Sequence, residues 1–310
     1  MAKKWQYLKP GDTIDIIAPS SAAIVEVQEI VQLIEMLGFQ ARVDQEIINL
    51  HVSPFLANSD EYRLSKLVDA LSNPESKAIW CLRGGYGSAR LIDDLSKIDK
   101  PTNPKLLIGF SDITVLHIFI NQKWEWPSLH GMMVSQAIKK GINDPAVIRI
   151  VDAITGNGDG KLTYELIPLN KEARDIESLK AEICGGNLAL VQTSIGTNWQ
   201  LDTAGKILFL EEVHEAPYRV DRMLNHMKQA HLLDDVIGII FGEFISKPEE
   251  IQTMKETLSA IAHSLNIPVF YTNEFGHGAI NHPLPLGTEV TITDNNGYIL
   301  LECETGGYHA

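Results

Sequence analysis

Apolar and polar positions in the first half of the chain alternate between two periods. Thr13 to Pro19 is a short β-rich run. Val27, Ile30, Val31, Ile34 and Leu37 then recur at helical spacing, with Gly38 following as a C-terminal cap. Gln40 to Val43 returns to strand. Ser59 reads as the N-cap of a helix whose apolar positions are Leu64, Leu67, Val68 and Leu71 and which Asn73-Pro74 ends. Ala78 to Leu82 and Lys105 to Phe110 are compact apolar runs of the kind buried in parallel sheets. This β-α-β-α rhythm predicts an α/β fold with a parallel sheet covered by helices.

Between Gln136 and Arg174 the rhythm lapses into turn signals, among them Gly141, Asn143-Asp144-Pro145 and Gly156-Asn157-Gly158-Asp159-Gly160. The chain is therefore divided into an N-terminal α/β domain (1–135), an interdomain connection with some local structure (136–175) and a C-terminal domain (176–310). In the last part strands are expected at Leu179 to Cys184, Lys206 to Leu210, Val236 to Phe244 and Pro268 to Tyr271, with helices between several of them. Thr288 to Thr293 and Tyr298 to Cys303, joined through Asp294-Asn295-Asn296-Gly297, form a hairpin candidate.

Length changes this picture little: 310 residues suit two domains of ordinary size. Charge excludes more. With 40 acidic against 26 basic residues the net charge is -14, and no long basic stripe interrupts it, which disfavours nucleic acid as a partner. The positively charged start lacks a following apolar region of the secretory type, and no apolar stretch is long enough to span a bilayer, so a cytoplasmic enzyme without membrane contact is expected. Cys81, Cys184 and Cys303 are odd in number, far apart and set among apolar residues; buried thiols are expected rather than a disulfide framework or a zinc site.

Three distant segments offer the parts of a serine hydrolase. The run Lys105 to Phe110 leads directly to Ser111 and then to a helical pattern, which puts the hydroxyl at the carboxyl edge of the sheet and at a helix N-terminus. Only half of a G-x-S-x-G elbow is present, since residue 113 is isoleucine, and a plain N-cap role for Ser111 stays open. Glu211 and Glu212 end an apolar run and, by strand alternation, should point to opposite sides, one inward and one to solvent. His277 is one of ten histidines, set apart by its flanking Gly276 and Gly278; His130 is the backup base, and His117 reads as packed. Glu215, Arg219, Asp221 and Arg222 suit structural ion pairs at a helix start.

A serine hydroxyl needs a base to take its proton, and the base works best when a third group fixes its orientation. The loop Arg83-Gly84-Gly85-Tyr86-Gly87-Ser88 adds backbone N–H groups that could form an oxyanion hole at Gly85 together with the amide of Asp112. A dinucleotide phosphate loop is the competing reading of Gly85 to Arg90, weakened by a missing final small residue. With no H-E-x-x-H and no carboxylate–histidine cluster of suitable spacing, no metal or other cofactor is expected.

In number and order these segments give the chain a specific resemblance, over nearly its full length, to the LD-carboxypeptidase family of serine peptidases, which includes the microcin-immunity hydrolases. It rests on Gly11-Asp12 with Ile17-Ala18-Pro19-Ser20, Arg83-Gly84-Gly85-Tyr86-Gly87, Gly109-Phe110-Ser111-Asp112 and Leu129-His130-Gly131. It continues through Gly185-Gly186-Asn187-Leu188, Glu211 with Pro217-Tyr218-Arg219, and Gly276-His277-Gly278 before Pro285-Leu286-Gly287. The resemblance implies a Ser-His-Glu triad of Ser111, His277 and Glu211. It also implies an N-terminal sheet domain similar to class I glutamine amidotransferases, and a C-terminal mixed α/β domain carrying Glu211 and His277. Members are typically cytoplasmic homodimers needing no metal that release terminal D-alanine from murein tetrapeptide, a peptidoglycan-recycling step. Gly84, Tyr86 and Asn187 are the candidate substrate-binding residues. Three alternatives are kept: a microcin-immunity-type amidohydrolase acting on peptidyl- or aminoacyl-adenylate analogues, a non-catalytic peptide-binding protein, and a nucleotide-dependent oxidoreductase.

Overall fold

The computed structural model describes residues 3–49 and 53–307. Each apolar run of the first half forms a strand and each helical pattern returns over the sheet. In order these are β1 (Thr13–Ile17), α1 (Val27–Met36), β2 (Gln40–Val43), α2 (Asp60–Ser72), β3 (Ser76–Cys81), α3 (Ile92–Leu95), β4 (Leu106–Gly109), α4 (Thr114–Phe119), β5 (Ser128–His130), α5 (Val134–Lys140) and α6 (Pro145–Thr155). The expected Ser59 cap is present, its hydroxyl accepting from the Tyr62 amide. Strands β2, β1, β3, β4 and β5 lie side by side in parallel.

The second half continues with β6 (Lys161–Pro168), α7 (Lys171–Arg174), β7 (Ser178–Asn187), α8 (Leu188–Thr193), β8 (Ile207–Val213), α9 (Pro217–Gln229), β9 (Gly238–Ile245) and α10 (Ile251–His263). It ends with β10 (Val269–Tyr271), β11 (Leu284–Leu286), β12 (Thr288–Asn295) and β13 (Tyr298–Glu304). Seven of these strands close a barrel in the order β10-β6-β13-β12-β7-β8-β9. The β12–β13 hairpin turns at Asn296 and Gly297, both with positive φ (55° and 90°), as a two-residue primed turn requires.

Two placements differ from the sequence expectation. The stretch 136–175 is more than a link, because β6 is a full member of the barrel, pairing with β13 and β10. Its alternation is regular: Leu162, Tyr164 and Leu166 are buried, and the residues between them are exposed. Second, β11 leaves the barrel and adds an antiparallel edge strand to the N-terminal sheet beside β5. The two sheets therefore share their cores; Trp80 and Leu129 of one belong to the same apolar cluster as Phe209 and Phe270 of the other.

They meet most closely where β7 ends against α4. A Cβ on Gly186 (φ 139°) would lie 2.5 Å from the Thr114 hydroxyl, and the Asn187 amide donates to that hydroxyl at 3.0 Å. Only glycine allows this approach. All three cysteines are free and buried, and burial pushes their thiols up in pKa. Among the described residues no helix is long and apolar enough to cross a membrane.

Candidate active site

Strand β4 delivers Ser111 to the carboxyl edge of the parallel sheet in a left-handed conformation, φ 61°, which a residue with a Cβ adopts at a cost of about 1–2 kcal/mol. Its hydroxyl caps no backbone amide, and Phe110 holds the cap position of the short turn Ser111–Ile113. This removes the plain N-cap reading. Among the described residues Ser111 Oγ makes no hydrogen bond; its close neighbour is Gly84, where a Cβ would meet Ser111 Oγ at 3.2 Å and Cβ at 3.0 Å. Gly84 is thus a packing surface for the serine.

Side chains on three loops fix the turn. Asp112 is buried, and its Oδ2 accepts from the Ser20 hydroxyl at 2.6 Å and the Ser88 amide at 2.8 Å, while the Ser88 hydroxyl donates to the Asp112 carbonyl at 2.5 Å. Ser20 and Ser88, which motif reading left without a role, tie the loops after β1 and β3 to the turn. The Gly85 and Asp112 amides make no hydrogen bond among the described residues. Gly85 sits at φ 102°, its Cα so close to Ser21 that a Cβ would meet the hydroxyl at 2.5 Å.

From the barrel come the base and its carboxylate. Glu211 is fully buried near the end of β8, and His277 Nδ1 donates to Glu211 Oε2 at 2.6 Å. This fixes the tautomer and leaves Nε2 for a second partner. Burial alone would lower the imidazole's pKa. The Glu211 carboxylate, through charge and hydrogen bond, with the charge of Glu212 added, outweighs this and raises it above the usual histidine value. Gly276 and Gly278 let the loop bend into this space. A Cβ on Gly276 (φ 126°) would crowd the Glu211 side chain, and one on Gly278 would overlap the Glu243 carboxylate.

The Phe110 ring lies 4.7 Å from the His277 imidazole, which sets the base beside the residue next to Ser111. Glu211 and His277 are joined. Among the described residues no hydrogen bond joins Ser111 to the imidazole.

Several expectations change. Glu211 and Glu212 are both buried, so neither faces solvent. The register between β8 and β9 slips between Leu210 and Glu212, and the second carboxylate turns to α8. There Glu212 accepts from Asn187 Nδ2 at 3.0 Å and from the Ala189 and Val213 amides at 2.8 Å each. Asn187, a substrate-binding candidate, has its amide on Glu212 and its Oδ1 on the Leu190 amide at 3.3 Å. His130 cannot serve as backup base. It is fully buried between Phe110 and Phe209, and burial, with the charges of His117 and His277, holds its pKa well below the usual value. His117 is packed, with Nε2 2.8 Å from the Gly109 carbonyl oxygen. Tyr86 is half exposed, edge-on to Phe55. Glu215 and Arg219 pair at 3.4 Å. Among the described residues no group of three or more histidine, cysteine or acidic side chains is placed to hold a metal.

A family model described as the LD-carboxypeptidase N-terminal domain matches residues 14–131, and one described as the LD-carboxypeptidase C-terminal domain matches residues 180–292. The chain belongs to the LD-carboxypeptidase family. A putative carboxypeptidase of Rickettsia conorii is 40% identical over 289 residues, which is 93% of this chain and 90% of the relative. A probable murein peptide carboxypeptidase of Bacillus subtilis is 32% identical, over 93% of this chain and 91% of its own. The crystal structure of muramoyltetrapeptide carboxypeptidase from Oxalobacter formigenes superposes with a TM-score of 0.81 at 27% identity, covering 96% of this chain and all of that one. Family membership makes the chain an enzyme of the carboxypeptidase class, and the two-sheet α/β fold is the family's fold.

Proposed function

We propose that this LD-carboxypeptidase releases the terminal D-alanine of murein tetrapeptide by acyl transfer to Ser111, with His277 as general base and acid and Glu211 as its orienting carboxylate. The observation that carries this reading is the 2.6 Å bond from His277 Nδ1 to the buried Glu211, with the imidazole 4.7 Å from the ring of Phe110, the residue before the strained Ser111. His277 Nε2 takes the Ser111 proton as the hydroxyl oxygen attacks the carbonyl between the diamino acid and D-alanine. The negative oxygen of the tetrahedral adduct receives the free Gly85 and Asp112 amides. His277 then gives its proton to the departing D-alanine nitrogen as the C–N bond breaks. A water, deprotonated by the same imidazole, hydrolyses the Ser111 ester and restores the enzyme.

Gly84, packed on Ser111, and the exposed Tyr86 two residues further on are the proposed substrate-cleft residues. The names of the relatives support a murein peptide as substrate, and with it a place in peptidoglycan recycling in the cytoplasm; a homodimer is the assembly expected of the family. The domains divide before β6, the first strand of the barrel, so the nucleophile and its base come from different domains. The test is Ser111→Ala: D-alanine release from tetrapeptide, followed by mass spectrometry, falls to background while circular dichroism stays native. Retained turnover removes Ser111 as nucleophile. Cleavage of an aminoacyl-adenylate analogue by the wild type, with no D-alanine release from tetrapeptide, removes the substrate.

A further inference from the structure

A carboxypeptidase must tell a chain end from a chain interior, and the difference is a free carboxylate. Recognition therefore calls for a cation close to the nucleophile that is not already neutralised. The chain is acidic by 14 charges, so an arginine without an acidic partner stands out. Arg42, Arg63, Arg90 and Arg219 each pair with aspartate or glutamate. Arg149 contacts His282 and the face of Tyr164, and Arg222 lies over Tyr218. Among the described residues this leaves Arg174, on α7 of the barrel side, and Arg83.

Arg83 directly precedes the glycine that touches the nucleophile. Gly84 packs on Ser111, while the exposed Arg83 guanidinium donates through Nη1 to the Ala22 carbonyl. Ala22 belongs to the loop whose Ser20 hydroxyl binds Asp112 and whose Ser21 amide donates to the Gly84 carbonyl at 3.1 Å. Both ends of the Arg83 side chain are thus tied to segments that frame Ser111. A guanidinium has five N–H donors in a planar fork, and one is used on Ala22. The others suit bidentate binding of a carboxylate.

We infer that Arg83 reads the terminal carboxylate of the peptide and so makes the enzyme an exopeptidase. The inference rests on the proposed peptide chemistry and is separable from it by experiment. Two tetrapeptides are compared, one ending in D-alanine and one in D-alaninamide, as substrates of wild type, Arg83→Ala and Arg83→Lys. The wild type is expected to favour the free acid by about a hundredfold in kcat/KM, the scale of a lost charge-assisted pair. Arg83→Ala loses about that factor on the acid, mostly through KM, and changes little on the amide, so the preference collapses; Arg83→Lys restores part of it. Equal losses on both peptides, or an undiminished preference in Arg83→Ala, overturn the assignment. A wild type that cleaves acid and amide equally well removes Arg83's role alone. One that cleaves neither removes the parent reading as well.

Discussion

The serine and the histidine are held in place by different kinds of force. Ser111 is fixed by a strained backbone and by hydrogen bonds around Asp112. A left-handed residue lies two positions past the end of a central parallel strand, Asp112 is clamped by Ser20 and Ser88, and Gly84 closes the space beside the hydroxyl. His277 sits in an irregular loop after β10 and is held chiefly by one charge-assisted bond to Glu211 and by the Phe110 ring. The first arrangement stores backbone strain. The second carries little strain and depends on the charge of one buried carboxylate. Substitutions on the two sides should therefore leave different signatures even where both abolish turnover.

The largest effects test this directly. Ser111→Gly and His277→Ala should each lower kcat on the order of a millionfold, since members of such a relay act as a unit. Their stabilities should diverge. Glycine relieves the left-handed strain and removes a hydroxyl that bonds nothing, so Ser111→Gly should unfold in urea with a free energy unchanged or raised by up to about 1 kcal/mol. His277→Ala leaves Glu211 buried without its partner and should lose about 2 kcal/mol. Destabilisation of both variants by similar amounts would erase the contrast.

Glu211→Gln keeps the shape and removes the charge. In comparable relays this change lowers kcat by about ten thousandfold. The imidazole pKa is raised because the carboxylate charge outweighs burial, so removing the charge should move the acid limb of the kcat/KM profile to lower pH. An acid limb that stays put would take Glu211 out of the relay. Glu212→Gln is the control on the neighbouring position. Glu212's acceptors face Asn187, Ala189 and Val213, so activity should stay within about tenfold of wild type while stability falls by about 1–3 kcal/mol.

Some of this difference was legible in the sequence and some was not. The parallel sheet could be read because its strands are short apolar runs alternating with amphipathic helices, a local signal. The serine turn was legible for the same reason, as a strand running straight into a helix. Barrel closure was not, because β6 ends at Pro168 and β13 begins at Tyr298, nearly the whole C-terminal part of the chain apart, although Leu162, Tyr164 and Leu166 carry a clean two-residue period. Nor could the edge placement of β11 be seen, since three residues carry no mark of their partner. The glutamate pair misled because simple alternation assumes an unbroken ladder, and the register slips at that point. The bond from Asn187 to Glu212 joins segments far apart in the chain, and no local motif marks it.

The smallest expected effect comes from proton linkage at the base. The folded protein binds the His277 proton more tightly than the unfolded chain, because Glu211 raises the imidazole pKa. A group with a raised folded pKa contributes stability that is fully present below its unfolded value, near 6.5, and disappears as pH rises through the folded value. His277→Gln removes this contribution and leaves the other titrating groups in place. The stability difference between wild type and His277→Gln, measured by urea unfolding, should therefore be larger at pH 6 than at pH 9. Ser111→Gly, on the side held by backbone, should show a difference from wild type that does not vary over the same range. A flat difference for His277→Gln would mean that the imidazole gains no net proton affinity from its buried carboxylate. The histidine side would then be held by packing, and the contrast with the serine side would fail at its electrostatic end.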